Sequence, residues 1–156
     1  DAPMQDVLPS IYYGNFEKYK GYHIRQLCQE MHDFYKDRNV STLQQRLFLH
    51  DYFPEYVMNP QEANFEFQRG KAELVPLTEA EGRVALEGAL PYPPGVLCVQ
   101  PGERWSKTAC DYFLALEEGI NKLPGFAPEI QGVYITEQPD GLKKAYGYVL
   151  KKEFEK

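Results

Sequence analysis

Cys28 and His32 stand four residues apart, with His23 just upstream. A thiolate and an imidazole at helical spacing can share a zinc ion, given a third ligand from elsewhere, and His50 is the available donor. The sequence has no CxxC and no HxxxH, and Cys28 falls on the apolar side of its pattern. A buried cysteine beside a surface histidine is the commoner state of such residues and is the reading favoured here. Cys98 or Cys110 with a distant histidine could support nucleophilic catalysis, but no activated-thiol turn accompanies either. Cys98 lies between Leu97 and Val99, which favours packing. Glu117 and Glu118 could form an acid pair, yet adjacent helical residues point about 100° apart, so a solvated charge pair is expected. Neither GxxxxGK[ST] nor GxGxxG occurs, and a phosphate-cradling loop is unsupported. The residue types therefore assemble no catalytic constellation and no metal or cofactor site.

The strongest local feature is Leu90-Pro91-Tyr92-Pro93-Pro94-Gly95-Val96. Three prolines in four positions forbid both a helix and a central ladder, and predict a stiff extended turn. Such backbone has little entropy to lose when something docks on it. It could wall a channel, line a domain contact, or simply cross between two strands. A polyproline ligand for a recognition domain is disfavoured because flanking strands would bury it.

The elements that must position these residues can be read in order. Residues 1–20, with Pro3, Pro9 and Gly14, are expected to form an irregular lead-in. From Gly21, Ile24, Leu27, Cys28, Met31, Phe34 and Tyr35 recur at helical spacing up to about Asn39. Ser41 or Thr42 is placed to cap a second helix carrying Leu43, Leu47 and Phe48. Asn59-Pro60-Gln61-Glu62 has the reciprocal capping arrangement, and that helix should stop at Gly70. Extended segments are expected at Glu73–Leu77, Arg83–Leu90 and Val96–Val99. Ser106 opens the last helix, with Ala109, Tyr112, Phe113, Leu116, Ile120 and Leu123 on one face and Pro124-Gly125 ending it. Val133–Ile135 and Ala145–Leu150 flank Pro139-Asp140-Gly141, predicting a terminal hairpin. Helices mixed with short antiparallel strands, without βαβ alternation, imply an α+β fold in a single domain spanning 21–156.

Bulk properties narrow the function. The 156 residues can bury a core of their own. Net charge is −6 with no basic stripe, which disfavours nucleic acid. No apolar run approaches a membrane span, and no signal-peptide pattern is present. Three unpaired-looking cysteines suit a reducing cytosol. Tyr 12, Phe 9 and Trp 1 suggest either a Tyr-rich core or a surface made to lie against something else. A start at Asp1, within a polar stretch, suggests a piece of a longer protein.

Longer blocks carry a resemblance. Glu87 to Val96, continuing through Cys98-Val99-Gln100-Pro101-Gly102-Glu103 to Trp105, resembles the C-terminal domain signature of the bacterial ornithine/lysine/arginine decarboxylases. The likeness extends through Tyr112 to Asn121 and Pro124 to Tyr134, and upstream through Ile24 to Asp33 and Val57 to Pro60. It covers nearly everything from Tyr22 to Leu150. The Glu-Gly-Ala before Leu90 and the Leu-Cys-Val after Val96 resemble the ornithine branch.

That resemblance implies a pyridoxal-phosphate enzyme of fold type I, converting L-ornithine to putrescine and carbon dioxide in the cytoplasm. Its cofactor lysine lies in a Ser-x-His-Lys motif, and the present chain has no His-Lys dipeptide. The fragment is thus expected to be inactive alone, to bind no cofactor, and to pack on the cofactor-binding and small domains of a dimeric or larger parent. Tyr92, Pro93, Pro94 and Glu103 are the candidates for a domain interface or channel mouth. A stand-alone interaction module, without catalysis, is the alternative class.

Overall fold

Ser106 starts the longest helix because its hydroxyl accepts from the Ala109 amide at 3.1 Å, satisfying one of the otherwise unpaired first-turn donors. The helix, α7 (Lys107–Lys122), buries Ala109, Tyr112, Phe113, Leu116 and Ile120, the stripe that its spacing predicts. The computed structural model describes residues 1–92 and 95–155. Among these residues, seven α-helices lie in this order: α1 (Met4–Val7), α2 (Pro9–Gly14), α3 (Phe16–Tyr19), α4 (Ile24–Asp37), α5 (Val40–Arg46), α6 (Pro60–Gln68) and α7. Five strands are interspersed: β1 (Ala72–Pro76), β2 (Leu90–Tyr92), β3 (Glu129–Gln131), β4 (Tyr134–Glu137) and β5 (Lys143–Leu150). The fold is α+β in one domain, as expected.

β5 is the organising strand. It lies between β1 and β4, antiparallel to both, with Val75 opposite Gly147 and Ile135 opposite Ala145. Its inward residues Ala145, Gly147 and Val149 are small and buried, and this lets Trp105 sit close: a Cβ on Gly147 would lie 3.3 Å from the indole. Trp105 meets Phe113 of α7 edge-on at 5.8 Å, joining helix to sheet in the main core. The terminal hairpin of β4 and β5 forms where Pro139-Asp140-Gly141 places it, with the Leu142 amide donating to the Asp140 carboxylate at 2.9 Å.

Four local expectations are corrected. Residues 1–20 are not irregular: α1, α2 and α3 bury Met4, Tyr12 and Tyr19 against Leu27 and Leu123. Pro9 and Gly14-Asn15 divide this stretch into pieces too short to show a period. Residues 83–89 and 96–99 form isolated bridges, not strands, with Leu90 alone entering β2: the backbone groups of 84–86 are shared between two neighbours, and residues 96–99 pair only with Ala89. Val84 and Leu86 bond to β5, whereas Ala85 bonds to residues 102 and 103. Neither Ser41 nor Thr42 is the cap of α5, since Asn39 takes the left-handed conformation (φ 52°) and the helix starts at Val40. Cys28 is exposed, one position past the buried Leu27. The capping box of α6 is present as read: Asn59 Oδ1 accepts from the Glu62 amide at 2.8 Å, and Glu62 accepts from the Asn59 amide at 3.1 Å.

Candidate functional site

Tyr92 ends β2, whose pairing with β3 sets Pro91 opposite Ile130 and Tyr92 opposite Glu129. A two-stranded sheet is all edge, which is why a proline is tolerated in its middle. Pro91 is buried, and Tyr92 is 54 % exposed. The chain turns at Gly95 (φ 77°), whose amide donates to the Pro91 carbonyl at 3.0 Å. The Tyr92 ring fills the space a Cβ at Gly95 would need. Pro93 and Pro94 lie outside the described residues.

Glu103 stands at the far end of the same ribbon. Ala89 bridges Val99, and Val84 bridges Arg104, so Tyr92 and Glu103 extend in opposite directions from that pairing. The Glu103 carboxylate is occupied locally, accepting from the Gln100 amide at 2.8 Å. Next to it, Gly102 (φ 93°) is a hub: its carbonyl accepts from the Val57 and Met58 amides at 3.0 and 3.1 Å. A Cβ at Gly102 would fall 2.0 Å from the Met58 carbonyl oxygen, a contact only glycine avoids. Arg104 completes the clamp, its amide donating to the Glu55 carbonyl at 2.9 Å and its guanidinium lying 3.3 Å from the Glu55 carboxylate.

This clamp holds a segment of which the helical pattern claimed only Phe48, and wrongly, since α5 ends at Arg46. Between Phe48 and Val57 every residue is exposed except the half-buried Pro54. Phe48, Leu49, Tyr52, Phe53, Tyr56 and Val57 are 50, 52, 38, 57, 66 and 36 % exposed. Six large apolar residues in ten positions, with no helical or strand period, was the available signal. Leu47, just before them, is buried, so the segment is tied to the core at both ends.

A cleft of ≈ 570 Å³ opens between α4, α5, α7 and β2, lined by Tyr35, Lys36, Gln44, Pro91 and Tyr112 among others. Gln44 Nε2 donates to the Tyr112 hydroxyl at 3.3 Å. Among the described residues, no carboxylate lines it. The two buried thiols, Cys98 and Cys110, are unsuited to nucleophilic work. Burial pushes Cys98 up to about 11 and Cys110 up to about 12, leaving both as neutral thiols near neutrality. His23, His32 and His50 are exposed, and no group of three or more His, Cys, Asp or Glu among the described residues is placed to hold a metal ion.

Glu117 and Glu118 are not a free solvated pair. Glu117 accepts from the Ala145 amide at 2.6 Å, fastening α7 to β5. Glu118 takes the Arg38 guanidinium in a two-point pair, Nε to Oε2 at 2.6 Å, and this hydrogen bond holds its carboxyl below the usual range. Their partners lie in β5 and after α4, in keeping with the divergence of neighbouring helical positions.

Among the described residues, no helix is long and apolar enough to cross a membrane. The surface is thus that of a domain with a pinned aromatic segment and a mixed cleft.

Known proteins are similar to this chain in sequence and fold. The sequence model of the family "Orn/Lys/Arg decarboxylase, C-terminal domain" matches residues 41–151. An ornithine decarboxylase of Haemophilus influenzae is 67 % identical over 150 residues, 96 % of this chain and 21 % of that protein. An inducible ornithine decarboxylase of Escherichia coli is 62 % identical over 151 residues, 97 % of this chain and 20 % of the relative. The chain therefore spans about a fifth of the length of the curated relatives it matches. Among solved structures, lysine decarboxylase A from Pseudomonas aeruginosa superposes with a TM-score of 0.86 at 32 % identity, over 96 % of this chain and 20 % of that one. By sequence over most of its length, and by fold, the chain belongs to the Orn/Lys/Arg decarboxylase C-terminal domain family.

Proposed function

We propose that this chain is the C-terminal domain of a pyridoxal-phosphate-dependent ornithine decarboxylase, a cytoplasmic carboxy-lyase that makes putrescine for polyamine biosynthesis. One observation carries the reading: relatives named ornithine decarboxylase share 57–67 % of residues with it, against 33–35 % for relatives named lysine decarboxylase.

The domain's part is to pack on the cofactor-binding and small domains of a dimeric or larger parent and to help shape the active-site entrance. Tyr92, Pro93, Pro94 and Glu103 are the candidates for that contact. Tyr92 is suited to it by an exposed ring on stiff backbone, whereas the carboxylate of Glu103 is already spent on its own turn.

Lys18, Lys36, Lys71 and Lys107 do not offer the cofactor a suitable amine. A Schiff-base lysine must release its proton readily, and the ring nitrogen of pyridoxal phosphate takes an acidic partner. Lys18 is held cationic against desolvation by Glu30 and Tyr22, Lys107 by the Asp111 carboxylate, and Lys71 is paired with Glu66. Lys36 reaches the cleft, where no described carboxylate faces it. The chemistry belongs to the remaining part of the parent.

The complete polypeptide, supplied with pyridoxal phosphate, should release carbon dioxide from ornithine and far less from lysine, while residues 1–156 alone should release none. Turnover by the 156-residue chain, or a preference for lysine, would overturn the proposal. In the complete enzyme Tyr92→Ala should alter ornithine KM or the assembly state. No change in either would remove Tyr92 from the contact.

A further inference from the structure

We propose that the segment 48–57 is the face by which this domain seats on the rest of its own polypeptide; this rests on the reading of the chain as one domain of a longer enzyme. Its six apolar side chains, Phe48, Leu49, Tyr52, Phe53, Tyr56 and Val57, each keep a third or more of their surface exposed, and no residue of the single-turn helix at His50–Tyr52 is buried. A segment this exposed would be free to fray, yet this one is pinned. Leu47 anchors it on one side, and the Gly102 hub with Arg104 anchors it on the other. Glu103, bridged to Tyr56, makes it continuous with the ribbon proposed above as an interface. Backbone fixed in advance loses little entropy on docking. Aromatic rings add large contact area for few rotatable bonds.

Area argues for the occupant. With large apolar side chains presenting on the order of 150–250 Å² each when free, these exposures sum to roughly 550 Å². That is at the top of what a monomer leaves uncovered, about 300–600 Å². It falls short of the about 800 Å² per partner that a standard complex of separate chains buries. It does match one side of an interdomain interface, about 300–750 Å², where the covalent link supplies an effective concentration on the order of millimolar. The relatives are about five times the length of this chain, so a tethered occupant of the right size is at hand. A second copy of this chain would lack the tether and have to make up the shortfall elsewhere.

Hydroxyl-radical footprinting of the complete protein tests this, with a synthetic peptide of residues 48–57 as the fully exposed reference. Phe53 and Tyr56 should label at least five-fold more slowly in the protein than in the peptide, unchanged on dilution to concentrations where subunits separate. Labelling within two-fold of the peptide would overturn the proposal. Protection that disappears on dilution would overturn it in favour of a second copy. As an independent measurement, Phe53→Ser with Tyr56→Ser leaves the domain core untouched but should give the complete protein a separate, earlier unfolding transition and faster proteolysis outside residues 1–156. Unchanged unfolding and proteolysis would count against docking. An ornithine assay on the same preparation separates the two proposals. Intact protection without turnover would sink the decarboxylase reading and leave the docking face standing.

Discussion

Replacing Gly102 by alanine is the sharpest test of the physical picture. The residue has φ 93°, and a Cβ there would meet the Met58 carbonyl oxygen at 2.0 Å and its carbon at 2.9 Å. Relief requires the two backbones to part by more than 1 Å, roughly the margin between that contact and van der Waals separation. The hydrogen bonds from Val57 and Met58, 3.0 and 3.1 Å long, cannot survive such a shift. Each is worth about 1 kcal/mol net. A non-glycine residue in this conformation adds about 1–2 kcal/mol of strain. The total is about 3–4 kcal/mol, which for a domain of this size lowers the melting temperature by roughly 10 °C. Gly70→Ala is the matched control, since Gly70 has φ 76° but nothing within 4 Å of its Cβ position, and should lose only the strain. Calorimetry of both variants, with hydrogen exchange at the Val57 and Met58 amides, reads the difference. If Gly102→Ala melts no lower than Gly70→Ala, or leaves those two amides as protected as before, the hub does not hold the segment and the reasoning fails.

Three further outcomes are expected. At pH 8 a disulfide-exchange reagent should modify Cys28 quickly and Cys98 and Cys110 only after denaturant is added, since burial keeps the latter two as neutral thiols. Rapid reaction of all three would contradict their burial. Asn59→Ala should cost about 1 kcal/mol by removing the cap of α6, measured by urea unfolding, while Asn59→Asp should cost much less. Burial pushes the Tyr19 hydroxyl up to about 12, against about 10 when unfolded, and it donates to the Pro124 carbonyl at 2.7 Å. Its contribution is therefore complete below pH 10 and is lost as pH climbs from 10 towards 12, where the unfolded chain ionises first. Tyr19→Phe should melt lower at neutral pH yet decline less steeply between pH 10 and 12, and parallel curves would refute the assignment.

Reading the chain without coordinates succeeded wherever the decisive interaction is local. The cap at Ser106, the reciprocal box at Asn59 and Glu62, the stripe of α7 and the turn at Pro139-Asp140-Gly141 each depend on neighbours within a few positions. That the chain contains no His-Lys dipeptide is likewise a contiguous feature, read directly from the residues.

Tertiary structure decided what depends on distant partners. Periodicity could not show that β5, beyond its local hairpin with β4, would take β1 on one edge and residues 84–86 on the other, because those hydrogen bonds span more than sixty residues. Nor could it show that three short helices would close over Leu123 through Met4, Tyr12 and Tyr19. Above all, exposure of the 48–57 segment was hidden: an apolar side chain has the same hydrophobicity in a core or on a face awaiting a partner. Only the positions of every other residue determine whether anything is left to cover it.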